Sequence, residues 1–125
     1  MKTLTLDTGA LTALEQKHPR MWKVLHRAGE LAMVPVVPAD VIAEWWRQPS
    51  DIREHILASV TVEPLTETIA RLAGEALAQV PSATMVDAIV MASAAQRGDA
   101  VYTSDADDLE KLRGVFPSVR IIAIT

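Results

Sequence analysis

The chain contains no cysteine. That excludes a disulfide framework, a thiolate zinc site and a cysteine nucleophile, and it fits a reducing compartment. Long hydrophobic runs are missing as well. The longest uncharged apolar stretches, Leu31 to Ala39 and Ala76 to Val86, both contain proline and fall far short of the roughly 18 to 20 residues that a membrane span needs. Asp7 and Glu15 interrupt the first eighteen positions, so these do not read as a signal peptide. Nor is there an excess of basic charge: 12 Lys+Arg face 16 Asp+Glu, a formal net charge of -4. A simple nucleic-acid coat would be basic, whereas an enzyme that meets nucleic acid through a metal need not be. Repeats, low-complexity tracts and linkers are also absent. What is present is 125 residues, half of them apolar, enough for one globular domain over positions 1–125 with its own core. No membrane partner and a cytoplasmic location are expected.

Periodicity predicts alternating strands and helices. Thr3 to Leu6 reads as a strand that stops at Asp7-Thr8-Gly9 and feeds a helix through Ala10, Leu11, Ala13 and Leu14. Further helices are expected over Met21 to Ala28, closed by Gly29, and over Ala39 to Arg47, Asp51 to Ser59, Thr66 to Gln79, Thr84 to Gln96 and Asp105 to Arg113. Strands are expected over Leu31 to Val37, Val60 to Leu65, Ala100 to Thr103 and Arg120 to Ile124. The Thr84 to Gln96 helix is apolar nearly all round, the mark of a central buried helix. Strands alternating with helices predict an α/β fold, a three-layer α/β/α sandwich around a mainly parallel sheet.

In such sheets the ligand site lies at the carboxyl ends of the strands, near the point where strand order reverses. Asp7 and Asp105 directly follow predicted strands, and Glu44 and Asp87 lie on helices that start beside strand ends or breaks. Each has a purely structural reading. Thr84 to Asp87 and Ser104 to Asp107 have the form of capping boxes, Asp105 can itself be an N-cap, and Glu44 can pair with Arg47. Together they say more, because clustered buried carboxylates cost several kcal/mol and repel one another. No Lys or Arg lies within two residues of Asp7 or Asp87, so a divalent cation is the expected counter-charge. Oxygen ligands without Cys or suitably spaced His favour Mg²⁺ or Mn²⁺ over Zn²⁺. His18, His26 and His55 read as surface residues.

Four stretches carry a family likeness: Leu6-Asp7-Thr8-Gly9-Ala10-Leu11, Val36 to Arg47 with Glu44 inside it, Val86-Asp87-Ala88-Ile89-Val90, and Val101-Tyr102-Thr103-Ser104-Asp105-Ala106-Asp107-Asp108-Leu109. In this order and spacing, over nearly the whole chain, they resemble a PIN-domain ribonuclease, most closely a VapC-like toxin of a type II toxin-antitoxin system. The resemblance implies an acidic cluster of Asp7, Glu44, Asp87 and Asp105, with Thr103 supporting it and Asp108 as a further candidate ligand. It also implies one or two Mg²⁺ or Mn²⁺ ions, endonucleolytic cleavage of RNA, a small VapB-like antitoxin partner and a homodimer. Arg47 is the preferred candidate for RNA contact, with Arg20, Arg27, Arg53 and Arg97 as further candidate phosphate contacts. Trp45 and Trp46 are adjacent on a helix and cannot both face the core, so one is expected to meet a partner.

Two other classes share some features. A receiver-like phosphoacceptor domain needs an acid pair after the first strand, an acceptor Asp after a middle strand and a late Lys before Pro; here Asp7 stands alone, Val60 to Leu65 ends without Asp, and Lys111 precedes Leu112. A haloacid-dehalogenase-like phosphatase needs a second Asp where Gly9 stands. A non-cleaving PIN-like binding module is the remaining alternative, and the presence of all four acids speaks against it.

Overall fold

Short β-branched runs alternating with Ala/Leu-rich segments build five strands and seven helices in the computed structural model, which describes residues 3–124. In chain order these are β1 (Leu4–Leu6), α1 (Thr8–Glu15), α2 (Pro19–Glu30), β2 (Val36–Pro38), α3 (Ala39–Trp45), α4 (Asp51–Ala58), β3 (Thr61–Glu63), α5 (Glu67–Gln79), α6 (Met85–Arg97), β4 (Ala100–Thr103), α7 (Ala106–Glu110) and β5 (Arg120–Ala123). The sheet runs β3-β2-β1-β4-β5 and every pairing is parallel. After β1 the chain moves outward through β2 to β3, then crosses back through α5 and α6 to β4 on the other side of β1. The order therefore reverses between β1 and β4, where an open parallel sheet forms its crevice. Helices flank the sheet, giving the expected α/β architecture.

The core is one cluster that joins Leu6, Leu11, Val37, Val41, Met91, Val101 and Leu112. Helix α6 is central, as its composition predicts: every residue from Ala88 to Ala94 is buried, and the helix lies against β1, β2 and β4. Thr84 caps its start by accepting the Asp87 N–H at 3.1 Å. Gly98 ends it in the left-handed conformation at φ 76, which glycine adopts without steric cost.

Several boundaries differ from the sequence expectations. Gly29 lies inside α2, which runs to Glu30. Ala32 takes the left-handed position instead, at φ 55, and the Met33 N–H closes the turn on the Ala28 carbonyl at 2.8 Å. The expected strand from Leu31 shrinks to Val36–Pro38, because only these residues find partners on β1 and β3; Leu31 and Val34 are about half exposed. Helix α3 stops at Trp45, two residues early, and α7 covers only Ala106–Glu110. The capping box expected over Ser104 to Asp107 does not form, since Asp105 occupies the N-cap position without a side-chain capping bond.

A polar clasp ties the far end of α6 to the sheet. Arg97 donates to Glu63 of β3, to Asp99 at 2.7 Å and to Thr5 of β1 at 2.7 Å. Ser93 donates to Glu63 at 2.6 Å, and the buried Asp99 also accepts from the Thr3 N–H and the Thr5 hydroxyl. One side chain thus connects β3, β1 and the turn before β4.

Candidate functional site

Asp7 leaves β1 and enters α1 as its N-cap, its Oδ1 accepting from the Ala10 N–H at 2.9 Å. It is only 7% exposed. Thr103, the last residue of β4 and fully buried, hydrogen-bonds to the Asp7 carboxylate and accepts the Asp105 N–H at 2.9 Å. A single hydroxyl therefore joins the acids that follow β1 and β4, across the reversal in strand order. Asp87 is the third residue of α6, where Thr84 caps the backbone and also hydrogen-bonds to the Asp87 carboxylate. Glu44 stands in the last turn of α3, and the Thr8 hydroxyl donates to its Oε1. Asp108, three residues after Asp105, completes the wall.

Asp7, Glu44, Asp87, Asp105 and Asp108 line one cleft of about 290 Å³, with Thr8, Gly9, Thr84, Val86 and Ser104 filling the rest of its wall. Among the described residues, no Lys or Arg lines it. Gly9 makes the close approach of the walls possible: a Cβ there would stand 3.1 Å from both Cβ and N of Ser104, so any larger residue would push the β4–α7 turn, and Asp105 with it, away from Asp7.

The charges respond to this crowding. Burial, reinforced by the charges of Asp87 and Asp105, pushes the Asp7 carboxyl up to about 6, against the opposing bonds from Thr103 and Ala10. Burial also raises Asp87, helped by Asp108, Glu44 and Asp105 and opposed by Thr84. The neighbouring carboxyl of Asp108 raises the exposed Asp105, and Asp105 together with Lys111, 3.4 Å away, lowers the half-exposed Asp108.

As the side chains stand, no three His, Asp or Glu groups among the described residues are arranged to hold a metal ion. The donor set nonetheless fits a hard cation. Its donors are oxygens, they come from separate elements, and Asp7, Glu44, Asp87 and Asp105 form no ion pair among the described residues.

Positive charge is placed differently from what the sequence suggested. Arg97 belongs to the polar clasp, and Arg53 is held by Glu15 at 2.8 Å and the Gln48 carbonyl at 2.6 Å, so both are already engaged within the fold. Arg27 pairs with Glu30 at 3.4 Å. Arg47 is exposed just beyond α3, and its Nε donates to the Glu44 backbone carbonyl at 3.0 Å; the expected pairing with the Glu44 carboxylate is not made. Trp45 is buried and donates to Glu15 at 3.0 Å, while Trp46 is half-buried and packs edge-on against it at 5.9 Å. Sequence reasoning overlooked Thr8 and Gly9 as parts of the site, although both stand in the Asp7-Thr8-Gly9 turn that marks the end of β1.

No family model matches the chain, and no curated protein matches it in sequence. Solved structures do match in three dimensions. A chain of DNA-bound VapBC from Salmonella typhimurium is 16% identical with a TM-score of 0.77, each chain covered completely. VapBC2 from Rickettsia felis, bound to a DNA fragment from its promoter, gives 12% and 0.75 with 98% of each chain covered. FitAcB from Neisseria gonorrhoeae gives 13% and 0.61, again over 98% of each. With an all-parallel sheet in this order and full-length correspondence to chains of VapBC complexes, the protein has a PIN-like fold, and the resemblance to VapC-like proteins carried by its four acidic stretches holds for the fold as a whole.

Proposed function

We propose that the protein is a metal-dependent endoribonuclease and the toxin of a toxin-antitoxin pair. The observation that carries this reading is the convergence of five carboxyl groups on one cleft, with no basic side chain in its wall among the described residues. Asp7, Asp87 and Asp105 would hold the ion, Glu44 would hold it or orient the attacking water, and Asp108 would be a further ligand from the same wall. Thr103 keeps Asp7 and Asp105 in register, and Arg47 meets a phosphate at the rim. Mg²⁺ or Mn²⁺ supplies, when bound, the positive charge that stabilises the leaving oxygen of a phosphodiester.

The rest of the chemistry belongs to the protein. Thr103 and the Ala10 N–H favour the charged form of Asp7, and a bound cation would offset the mutual repulsion of the carboxylates around it. The partnership with a small antitoxin is supported by the likeness to chains of VapBC complexes.

Purified protein is expected to cleave single-stranded RNA in Mg²⁺ or Mn²⁺. Asp7→Asn and Asp87→Asn should reduce cleavage to background with circular dichroism unchanged. Cleavage that survives EDTA, or that persists in both variants, overturns the mechanism.

A further inference from the structure

Glu44 differs from the other acids of the cleft in having nothing on its own element to hold it. It is exposed, it stands in the last turn of a seven-residue helix, and the charge of Asp87 repels it. Arg47 engages its backbone carbonyl instead of its carboxylate. A glutamate so placed has several rotamers directed into water, and ordering it for a ligand costs entropy. Thr8 opposes this drift: it opens α1, lines the cleft and donates its hydroxyl to Glu44 Oε1.

We propose that Thr8 is the positioning residue for Glu44, registering α3 on the Asp7 turn so that Glu44 is already in place when a cation binds. The inference rests on the metal-dependent reading above. Thr8 directly follows Asp7, whose carboxylate is fixed by Ala10 and Thr103, so a bond from Thr8 ties the acid of α3 to the acid of β1 through one dipeptide. The hydroxyl is a donor to the carboxylate and would act on a bound ion only through Glu44. Partners of this kind orient ligands, and removing them typically weakens metal binding by about 10- to 100-fold.

The test measures Mn²⁺ binding by electron paramagnetic resonance on EDTA-treated full-length protein, for wild type, Thr8→Val, Thr8→Ser, Glu44→Ala and the Thr8→Val/Glu44→Ala double variant. Thr8→Val keeps the shape and should bind about tenfold more weakly, Thr8→Ser should stay near wild type, and Thr8→Val should cost nothing further once Glu44 is alanine. Unchanged binding in Thr8→Val, an equal loss in the Glu44→Ala background, or failure of serine to substitute overturns the role. Wild-type protein that binds no Mn²⁺, or Asp7→Asn that binds it as wild type does, overturns the metal reading and this role with it. Urea unfolding of wild type, Thr8→Val, Glu44→Ala and the double variant in EDTA separates the two failures, since an absence of coupling there overturns the Thr8–Glu44 bond itself.

Discussion

Asp7 serves two purposes that pull its proton in opposite directions. As the N-cap of α1 and the acceptor of the Thr103 bond it favours the charged form; its burial beside Asp87 and Asp105 favours the neutral one and prevails, taking the group from 3.8 to about 6. A folded-state value above the unfolded one means that the fold binds this proton more tightly. The corresponding stabilisation is complete below about pH 4 and is lost as pH rises through 6, so at pH 7.5 the charge costs the metal-free fold on the order of 2–3 kcal/mol. Asparagine caps a helix as well as aspartate does and carries no charge. Asp7→Asn is therefore expected to be more stable than wild type in EDTA at pH 7.5, by about 1–3 kcal/mol, with the difference closing by pH 4. Urea unfolding at the two pH values checks this, and a less stable variant at pH 7.5 would show that the burial cost is absent. Such a trade is what a site held together by an ion requires: charge that strains the empty fold becomes an asset on coordination.

At the scale of elements, α6 does most to place the cleft, since Asp87 is in its first turn and Arg97 in its last. Arg97 fixes the far end against β1, β3 and the buried Asp99. Arg97→Leu would leave the Asp99 carboxylate, whose side chain is fully covered, without its cation. Breaking one side of such a buried pair typically costs about 3–5 kcal/mol, and a loss of that size in urea unfolding is expected; a change under about 1 kcal/mol would mean that Thr3 and Thr5 alone satisfy Asp99.

The same helix shows what the sequence makes legible. An apolar run bounded by Thr84 and Gly98 announces both its ends and its burial, and acids placed directly after strands announce the cleft, because strand ends and caps are local events. The clasp could not be seen: Glu63, Ser93, Arg97 and Asp99 meet only once the strand order is known. Likewise β2 is three residues long because its neighbours offer no more partners, and α2 outruns Gly29 because Ala32 can take the left-handed turn. Neither fact resides in the segment itself. Thr8 escaped notice for the same reason, as its partner lies on an element 36 residues away.

For the molecule as a whole, the net charge of -4 acquires a location. Leaving out Asp7, Glu44, Asp87 and Asp105, the remaining 12 of the 16 acids balance the 12 bases. Approach of a polyanion is then opposed mainly at the cleft, the place where a bound cation would reverse the field. If the protein is a toxin, its expression should slow growth, co-expression of the small partner encoded beside it should restore growth, and Asp7→Asn should be harmless. Growth curves with soluble, folded protein check this, and unimpaired growth on expressing wild type alone would count against the toxin reading.

The reversal of strand order between β1 and β4 also governs when the cleft comes into being. Asp7 is synthesised well before Thr103, Asp105 and the Ser104 that stands against Gly9. A nascent chain lacking β4 has no second wall opposite Asp7. A chain cut short before β4 lacks Ser104, Asp105 and Asp108, and so cannot close the cleft around Asp7.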